Sequence, residues 1–270
     1  MTGLPPLSST RSERVRQVTA LGRRAARDRQ GRFLVEGPQA VRELLGYAAG
    51  AAEVLYVTPA ALDRHADLVE QAVRLGVAVR ECTADVLGVM AGTEHPQGLL
   101  AVARRVDVPL EQALAAVGEQ GFVVVLAHVR DPGNAGTVLR AADAFGAAAV
   151  VVSAASVDVY NPKVVRSTAG SLFHLPVSVG TPVQEVLQAC RARGIRLLAA
   201  DGSGQTRLPD VDLTGPHAWV MGNEAWGLPP DVLAGCDAAV SVPIRRAESL
   251  NLAMAATVCL HASSVATGAV

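Results

Sequence analysis

Short apolar runs alternate with amphipathic stretches along most of this 270-residue chain. The runs are rich in Val, Leu and Ala and predict strands, whereas the stretches between them carry apolar residues at helical spacing. Strands that alternate with helices in this way predict an α/β fold with a mostly parallel sheet covered on both faces. The clearest apolar runs are 54–57, 98–103, 122–127, 149–152, 195–200, 218–221 and 239–242.

The pattern predicts a short extension followed by two α/β units. Residues 1–29 form a basic N-terminal extension, with a helix expected after Ser12 as a possible N-cap. A smaller unit covers 30–105, a linker carrying a short helix covers 106–120, and the larger unit covers 121–270. The larger unit opens on a continuous β-branched run, which is typical of a strand buried on both faces.

Charge and composition limit the possible functions. The net charge of −1 gives no overall sign of nucleic-acid binding, but arginines crowd residues 11–32. Such a basic arm suits a phosphate backbone, and a solvated amphipathic helix explains it equally well. No apolar run reaches the length of a membrane span and the N-terminus lacks a signal peptide, so a cytoplasmic protein without membrane attachment is expected. The cysteines stand far apart without a CxxC pair, which favours buried free thiols and no metal site.

Familiar nucleotide and hydrolase motifs are absent from the sequence. No GxGxxG follows the first strand of the larger unit, and GxxxxGK, HExxH and GxSxG do not occur. Polar residues instead collect after predicted strands at 131–140, 221–227 and 243–251. Ligands of open α/β sheets bind beyond the carboxyl ends of strands, so the three clusters together predict a ligand site. Taken singly, the clusters have simpler explanations: a turn with a helix cap, a solvated Glu224, and Ser249 as the cap of the last helix.

The larger unit resembles the SpoU or TrmH class of RNA ribose methyltransferases within the SPOUT superfamily. The segments that carry the resemblance are NAGTVLRAADAFG from Asn134, MGNEAWGL from Met221 and VPIRRAESLNLAMA from Val242, with 161–170 as an intervening match. The match covers roughly 122–264. Residues 30–103 are similar, less closely, to the substrate-binding domain that often precedes such a catalytic domain and resembles small ribosomal RNA-binding proteins.

The resemblance implies an RNA 2′-O-methyltransferase that uses S-adenosylmethionine, with a deep trefoil knot and a homodimer formed through the C-terminal domain. It also implies that the active site borrows a residue across the dimer interface. The implied catalytic residues are Arg140, Asn134, Glu224, Ser249 and Asn251. The implied cofactor-binding residues are Gly222, Val242, Leu250, Ala200, Asp201 and Ser249. Candidate phosphate contacts are Arg166, Arg245 and Arg246, for each of which an ordinary surface arginine is an equal alternative.

Arg140 is the residue most expected to serve the chemistry. An arginine stays protonated and is an awkward base, but its guanidinium suits a bidentate contact to a phosphate beside the target ribose. In the family it is also proposed to help remove the proton, and the sequence does not separate these roles. Ribosomal RNA is favoured over transfer RNA as the target, because a separate binding domain suits a large folded RNA. The alternatives are a tRNA ribose methyltransferase, a base-modifying enzyme of the same superfamily, an antibiotic-resistance rRNA methyltransferase and a non-enzymatic RNA-binding factor.

Overall fold

A computed structural model describes residues 5–268 of the chain, which divide into two compact units. The first unit contains the described residues up to Val106 together with Tyr160–His174. The second unit contains Asp107–Val159 and the described residues from Leu175 onward. The segment Tyr160–His174 therefore lies late in the sequence but packs with the N-terminal unit.

The predicted alternation of strands and helices is present throughout. The strands are β1 (Arg32–Glu36), β2 (Ala52–Val57), β3 (Ala78–Glu81), β4 (Leu99–Arg104), β5 (Phe122–Leu126), β6 (Ala149–Val152), β7 (Val177–Val179), β8 (Arg196–Ala200), β9 (Thr206–Arg207), β10 (His217–Met221) and β11 (Ala238–Ser241). The α-helices are α1 (Glu13–Ala20), α2 (Arg24–Gln30), α3 (Pro38–Tyr47), α4 (Pro59–Arg64), α5 (Ala66–Arg74), α6 (Ala84–Ala91), α7 (Leu110–Ala115), α8 (Pro132–Ala144), α9 (Pro162–Ser167), α10 (Val183–Ala192), α11 (Pro230–Ala234) and α12 (Leu252–Ala266).

The first unit is built on a four-stranded sheet in the order β1-β4-β2-β3. β4 pairs antiparallel with both neighbours, and β2 pairs parallel with β3. The basic segment at its N-terminus is anchored by helix α1, which buries Val15 and Val18 in the core of this unit. Ser12 caps α1 through a hydrogen bond from the Val15 amide, as predicted. Arg27 is also buried and donates to the Leu21 carbonyl at 2.8 Å, so this arginine of the basic segment has a structural role.

The second unit is built on a seven-stranded sheet in the order β7-β6-β5-β10-β8-β11-β9, and every pairing in it is parallel. All residues of β5, β6 and β10 are buried, because helices cover both faces of the sheet. The prediction of a mostly parallel α/β sheet is therefore confirmed. β10 lies at the centre, between β5 and β8.

Helix α12 closes the second unit through a buried polar contact with β10. Ser263 Oγ accepts a hydrogen bond from Trp219 Nε1 at 2.8 Å and lies 2.7 Å from His217 Nε2. Burial lowers the pKa of His217, because the charged imidazolium would lose its hydration there. Burial likewise raises the pKa of the Cys259 thiol on the same helix to about 12, which leaves it an unreactive thiol.

A few local expectations differ from the structure. Helical spacing over 60–75 predicts one helix, but the backbone leaves the helical region at His65 and divides the segment into α4 and α5. The last helix was expected to begin near Ser249, but it begins at Leu252 with Asn251 as its cap. The short strand β9 was not predicted, since two residues carry too little pattern to be recognised. Within the described residues, no helix is long and apolar enough to cross a membrane.

Candidate active site

A cavity of ≈ 660 Å³ lies at the carboxyl ends of β8, β10 and β11, which are neighbours in the sheet. Each strand contributes the loop that follows it, and the first turn of α12 adds Leu252 and Ala255. The walls combine apolar groups, carboxylates and main chain. The lining residues are Ala200, Asp201, Gly202, Met221, Gly222, Asn223, Glu224, Ala225, Trp226, Gly227, Val240, Val242, Ile244, Ala247, Glu248, Ser249, Leu250, Leu252 and Ala255.

The loop after β10 is folded tightly on itself at Gly222. Asn223 and Gly227 exchange two main-chain hydrogen bonds, of 2.7 and 3.0 Å. A Cβ at Gly222 would lie 2.5 Å from the carbonyl carbon of Gly227 and 2.7 Å from the amide nitrogen of Leu228. Main-chain atoms cannot move aside cheaply, so this turn requires glycine.

Glu224 joins the loop after β10 to the loop after β5. Its carboxylate accepts hydrogen bonds from the main-chain N–H groups of Asp131 at 3.0 Å and Arg130 at 3.3 Å. It accepts a third from Asn134 Nδ2 at 3.3 Å, and the Oδ1 atom of Asn134 accepts from Asn251 Nδ2 at 3.1 Å. We call these five residues the Glu224 network. It joins one residue from each of the three predicted polar clusters by hydrogen bonds. The simpler explanations, in which each cluster serves only its own turn or helix cap, do not require such contacts.

Helix caps hold the network in place. Asp131 is the N-cap of α8 and accepts a hydrogen bond from the Asn134 amide at 2.8 Å, with Pro132 at the first helical position. Asn251 is the N-cap of α12 and accepts from the amides of Ala253 and Met254 through Oδ1, which leaves its Nδ2 to reach Asn134. The two asparagines are therefore oriented by the helices that they start or enter.

The structure assembles most of the predicted residues but leaves the arginines apart. All six predicted cofactor residues line the cavity, and Asn134, Glu224 and Asn251 form the network beside it. Ser249 lines the cavity without entering the network. The arginines at 140, 245 and 246 are exposed, and none of the three is among the lining residues.

Arg140 lies on α8, about one and two-thirds turns beyond Asn134. Its guanidinium forms no hydrogen bond or ion pair with residues 5–268. Arg166 belongs to the first compact unit, where it forms an ion pair with Glu36 at 3.0 Å. Within the described part of the chain, no cluster of three His, Cys, Asp or Glu side chains is arranged to hold a metal ion.

Two residues of the site were missed as individual candidates. Asn223 donates from Nδ2 to the His128 carbonyl at 3.0 Å and accepts from the Ala225 amide, so it links the two loops beside Glu224. Trp226 lines the cavity and is half-exposed. Both lie in the segment 221–227 that the sequence singled out, but spacing alone does not say which side chains of a turn face a ligand.

Fold and site together define an α/β protein with a cavity of small-molecule size at the carboxyl edge of a parallel sheet and without a glycine-rich dinucleotide motif. Residues 121–261 match the family model of the SpoU rRNA Methylase family, and the chain belongs to this family. Residues 12–101 match the MRM3-like substrate binding domain. Both resemblances seen in the sequence are thereby confirmed, and the trefoil knot is implied by membership of the family.

Curated and solved relatives match along nearly the whole chain. A 23S rRNA (uridine(2479)-2′-O)-methyltransferase from Streptomyces viridochromogenes is 35% identical over 262 residues, covering 94% of this chain and 90% of the relative. The 23S rRNA (guanosine(2553)-2′-O)-methyltransferase RlmP of Bacillus subtilis is 28% identical, covering 94% and 97%. The solved structure of AviRb from Streptomyces viridochromogenes with AdoMet has a TM-score of 0.81 at 34% identity, covering 94% and 98%. An AdoMet-bound rRNA methyltransferase from Sinorhizobium meliloti has a TM-score of 0.85 at 27% identity, covering 96% and 97%.

Proposed function

We propose that this protein transfers a methyl group from S-adenosylmethionine to the 2′-hydroxyl of a ribose in ribosomal RNA. The observation that carries the proposal is the Glu224 network, which joins the three family segments beside a cavity at the carboxyl edge of the sheet. The names of the relatives support ribosomal RNA as the target, since both curated relatives described above are 23S rRNA 2′-O-methyltransferases. With such a target, the protein would act in the cytoplasm.

The cavity fits the cofactor in size and chemistry. Its ≈ 660 Å³ lies within the range of roughly 300–1,000 Å³ found for small-molecule sites. Val242 and Leu250 offer apolar walls, Asp201 offers a carboxylate, and Gly222 adds main chain to the lining without a side chain that would fill the cavity. Gly222, Val242, Leu250, Ala200, Asp201 and Ser249 would hold the cofactor. When bound, S-adenosylmethionine supplies an electrophilic methyl group on its sulfonium sulfur.

The chain's own residues have to fix the ribose and manage the charge on its 2′-oxygen. Asn134 and Asn251 present amide groups whose orientation is set by Glu224 and by helix α12. Arg140 holds a phosphate next to the target ribose and stabilises negative charge as the proton leaves. Arg245 and Arg246 are exposed on the loop that walls the cavity and add phosphate contacts there.

The proposal includes a homodimer formed through the C-terminal domain. Helix α12 exposes Met254, Val258 and Val265, whose exposed fractions are 63%, 41% and 58%. Three large apolar side chains on the exposed face of one helix are typical of a surface that is covered by a partner. Arg140 does not line the cavity of its own chain, which is consistent with a site completed by a second copy.

Methylation of unmodified transcripts tests the proposal. With labelled S-adenosylmethionine, the protein is expected to modify 23S rRNA rather than tRNA, and nucleoside mass spectrometry should locate the methyl group on ribose. Label on tRNA, label on a base or the absence of transfer would each point to one of the alternatives.

Arg140→Ala should lower kcat about 100-fold or more, the usual effect of removing a group that stabilises developing charge, while cofactor binding persists. Arg207→Ala, another exposed arginine of the same unit, is the matched control.

A further inference from the structure

Two aromatic side chains meet where the loops after β5 and β10 come together. The rings of His128 and Trp226 lie 5.7 Å apart between centroids, at an interplanar angle of 54°. His128 precedes the Arg130 and Asp131 amides that bind Glu224, and Trp226 follows Glu224 by two residues. The pair therefore lies beside the Glu224 network, and the mechanism above gives it no role.

Trp226 is the more exposed of the two tryptophans of the chain. Its exposed fraction is 52%, whereas Trp219 is fully buried in the centre of the sheet. Trp226 lines the cavity, and about half of its surface is open to solvent. Burial of a large aromatic ring stabilises a protein, so a ring that stays exposed beside a ligand cavity is typical of a surface that a ligand covers.

The main chain holds His128 in an unusual conformation. Its φ of 63° lies in the left-handed region, which residues other than glycine seldom occupy. Two hydrogen bonds fix it there, from its own N–H to Ser153 Oγ at 3.3 Å and from Asn223 Nδ2 to its carbonyl at 3.0 Å. Backbone strain of this kind is concentrated at functional sites. Here it places an imidazole against the Trp226 ring and so limits where that ring can turn.

We infer that Trp226 stacks on the base of the nucleotide whose ribose is methylated, and that His128 is the positioning residue that sets the ring. The inference rests on the proposed function. The base is attached directly to its ribose, so a ribose held at the cavity places its base close to the cavity wall. Trp226 is part of that wall. Bases of single-stranded RNA are commonly held by stacking on aromatic side chains. Stacking accepts every base, so this contact fixes the nucleotide in place without selecting it.

Steady-state kinetics on an unmodified 23S rRNA transcript tests the role of Trp226. Trp226→Ala should raise KM for the transcript at least about fivefold, the lower end of what one base–aromatic stack contributes. Its Kd for S-adenosylmethionine, measured by calorimetry, should stay within about twofold of the wild-type value. Trp226→Phe keeps a stacking ring and should restore most of the loss. An unchanged KM would overturn the inference, and so would a loss of cofactor binding, which would make the ring a wall for the cofactor.

Fluorescence gives an independent readout, because the emission lost in Trp226→Phe isolates the signal of Trp226. The transcript should quench this signal, and S-adenosylmethionine alone should leave it unchanged; the reverse pattern would contradict stacking on RNA.

His128→Asn tolerates the left-handed backbone and removes the imidazole ring. It should raise KM in the same direction, with no further rise when combined with Trp226→Ala. An additive rise would show that His128 contacts RNA itself. Methyl transfer by the wild-type protein to the same transcript tests the proposed function separately.

Discussion

At the scale of single residues, Glu224 shows how one side chain organises a site made from separate loops. Its carboxylate accepts from two main-chain amides and from Asn134, and Asn134 in turn accepts from Asn251. A carboxylate is acceptor-only and can serve several donors, whereas an amide offers one acceptor oxygen and two donors of its own. The residue type is therefore matched to the donors that surround it.

Glu224→Gln should lower kcat about 10- to 100-fold, because a hydrogen bond to a charged group contributes about 1.5–3 kcal/mol. The two loop amides, of Arg130 and Asp131, bond to different oxygens of the Glu224 carboxylate. Glutamine replaces one of these oxygens with an NH₂ donor, so one of the two amides would lose its acceptor. Single-turnover methylation of 23S rRNA measures the effect.

Glu248→Gln is the matched control for this change. Glu248 lines the same cavity, and its carboxylate forms no hydrogen bond with residues 5–268. The control removes the same charge without disturbing the loops and should keep kcat near the wild-type value. Equal losses in the two variants would mean that charge in the cavity matters, and not the network.

At the scale of elements, the site depends on loops that follow adjacent parallel strands and pass close to one another. Gly222 lies against the main chain of Gly227, and Gly204, in the loop after β8, lies against the main chain of β11. A Cβ at Gly204 would come within 2.6 Å of the Ala239 carbonyl oxygen. Two glycines thus permit contacts between backbone segments that a side chain would prevent.

Gly222→Ala should weaken binding of S-adenosylmethionine at least about tenfold, the effect of roughly 1.4 kcal/mol of strain in the turn. It should also lower the Tm by about 2–4 °C for each kcal/mol of lost stability. Gly202→Ala is the control, because Gly202 lines the same cavity and a Cβ there would meet nothing within 4 Å. Calorimetry and thermal unfolding compare the two variants, and a similar loss in both would contradict the steric explanation.

The elements themselves were largely predictable, whereas the contacts between them were not. The strands β5, β6 and β10 are apolar at every position because both faces are buried, so the pattern marks them clearly. The sequence also showed that polar clusters follow strand ends. It did not show that Asn251 rather than Ser249 caps α12, or that Glu224 meets Asn134. Those facts depend on which strands become neighbours in the sheet, and chain order does not determine that.

At the scale of the whole molecule, the site of one chain contains the cavity and the network but not Arg140. The guanidinium of Arg140 is exposed on α8, which packs against α12, the helix that exposes Met254 and Val258. A two-fold dimer through this region would give each cavity access to the partner's arginine. Gly222 of one chain would then serve that chain's own cavity, whereas Arg140 of the same chain would serve the cavity of the partner.

Mixing two impaired variants tests this arrangement, at a concentration of S-adenosylmethionine too low to fill the Gly222→Ala cavity. Arg140→Ala keeps the cavity, and Gly222→Ala keeps the arginine, so a mixed dimer contains one site with an intact cavity and an intact partner arginine. Co-refolded or co-expressed in equal amounts, the pair should regain about a quarter of wild-type methylation, because half the dimers are mixed and each has one working site. If Arg140 serves its own chain, no site in the mixture is complete and activity stays at the level of the single variants. Adding Val258→Asp to both chains should abolish the recovery by separating the subunits, whereas Val73→Asp, at a comparably exposed valine on α5, should leave it unchanged.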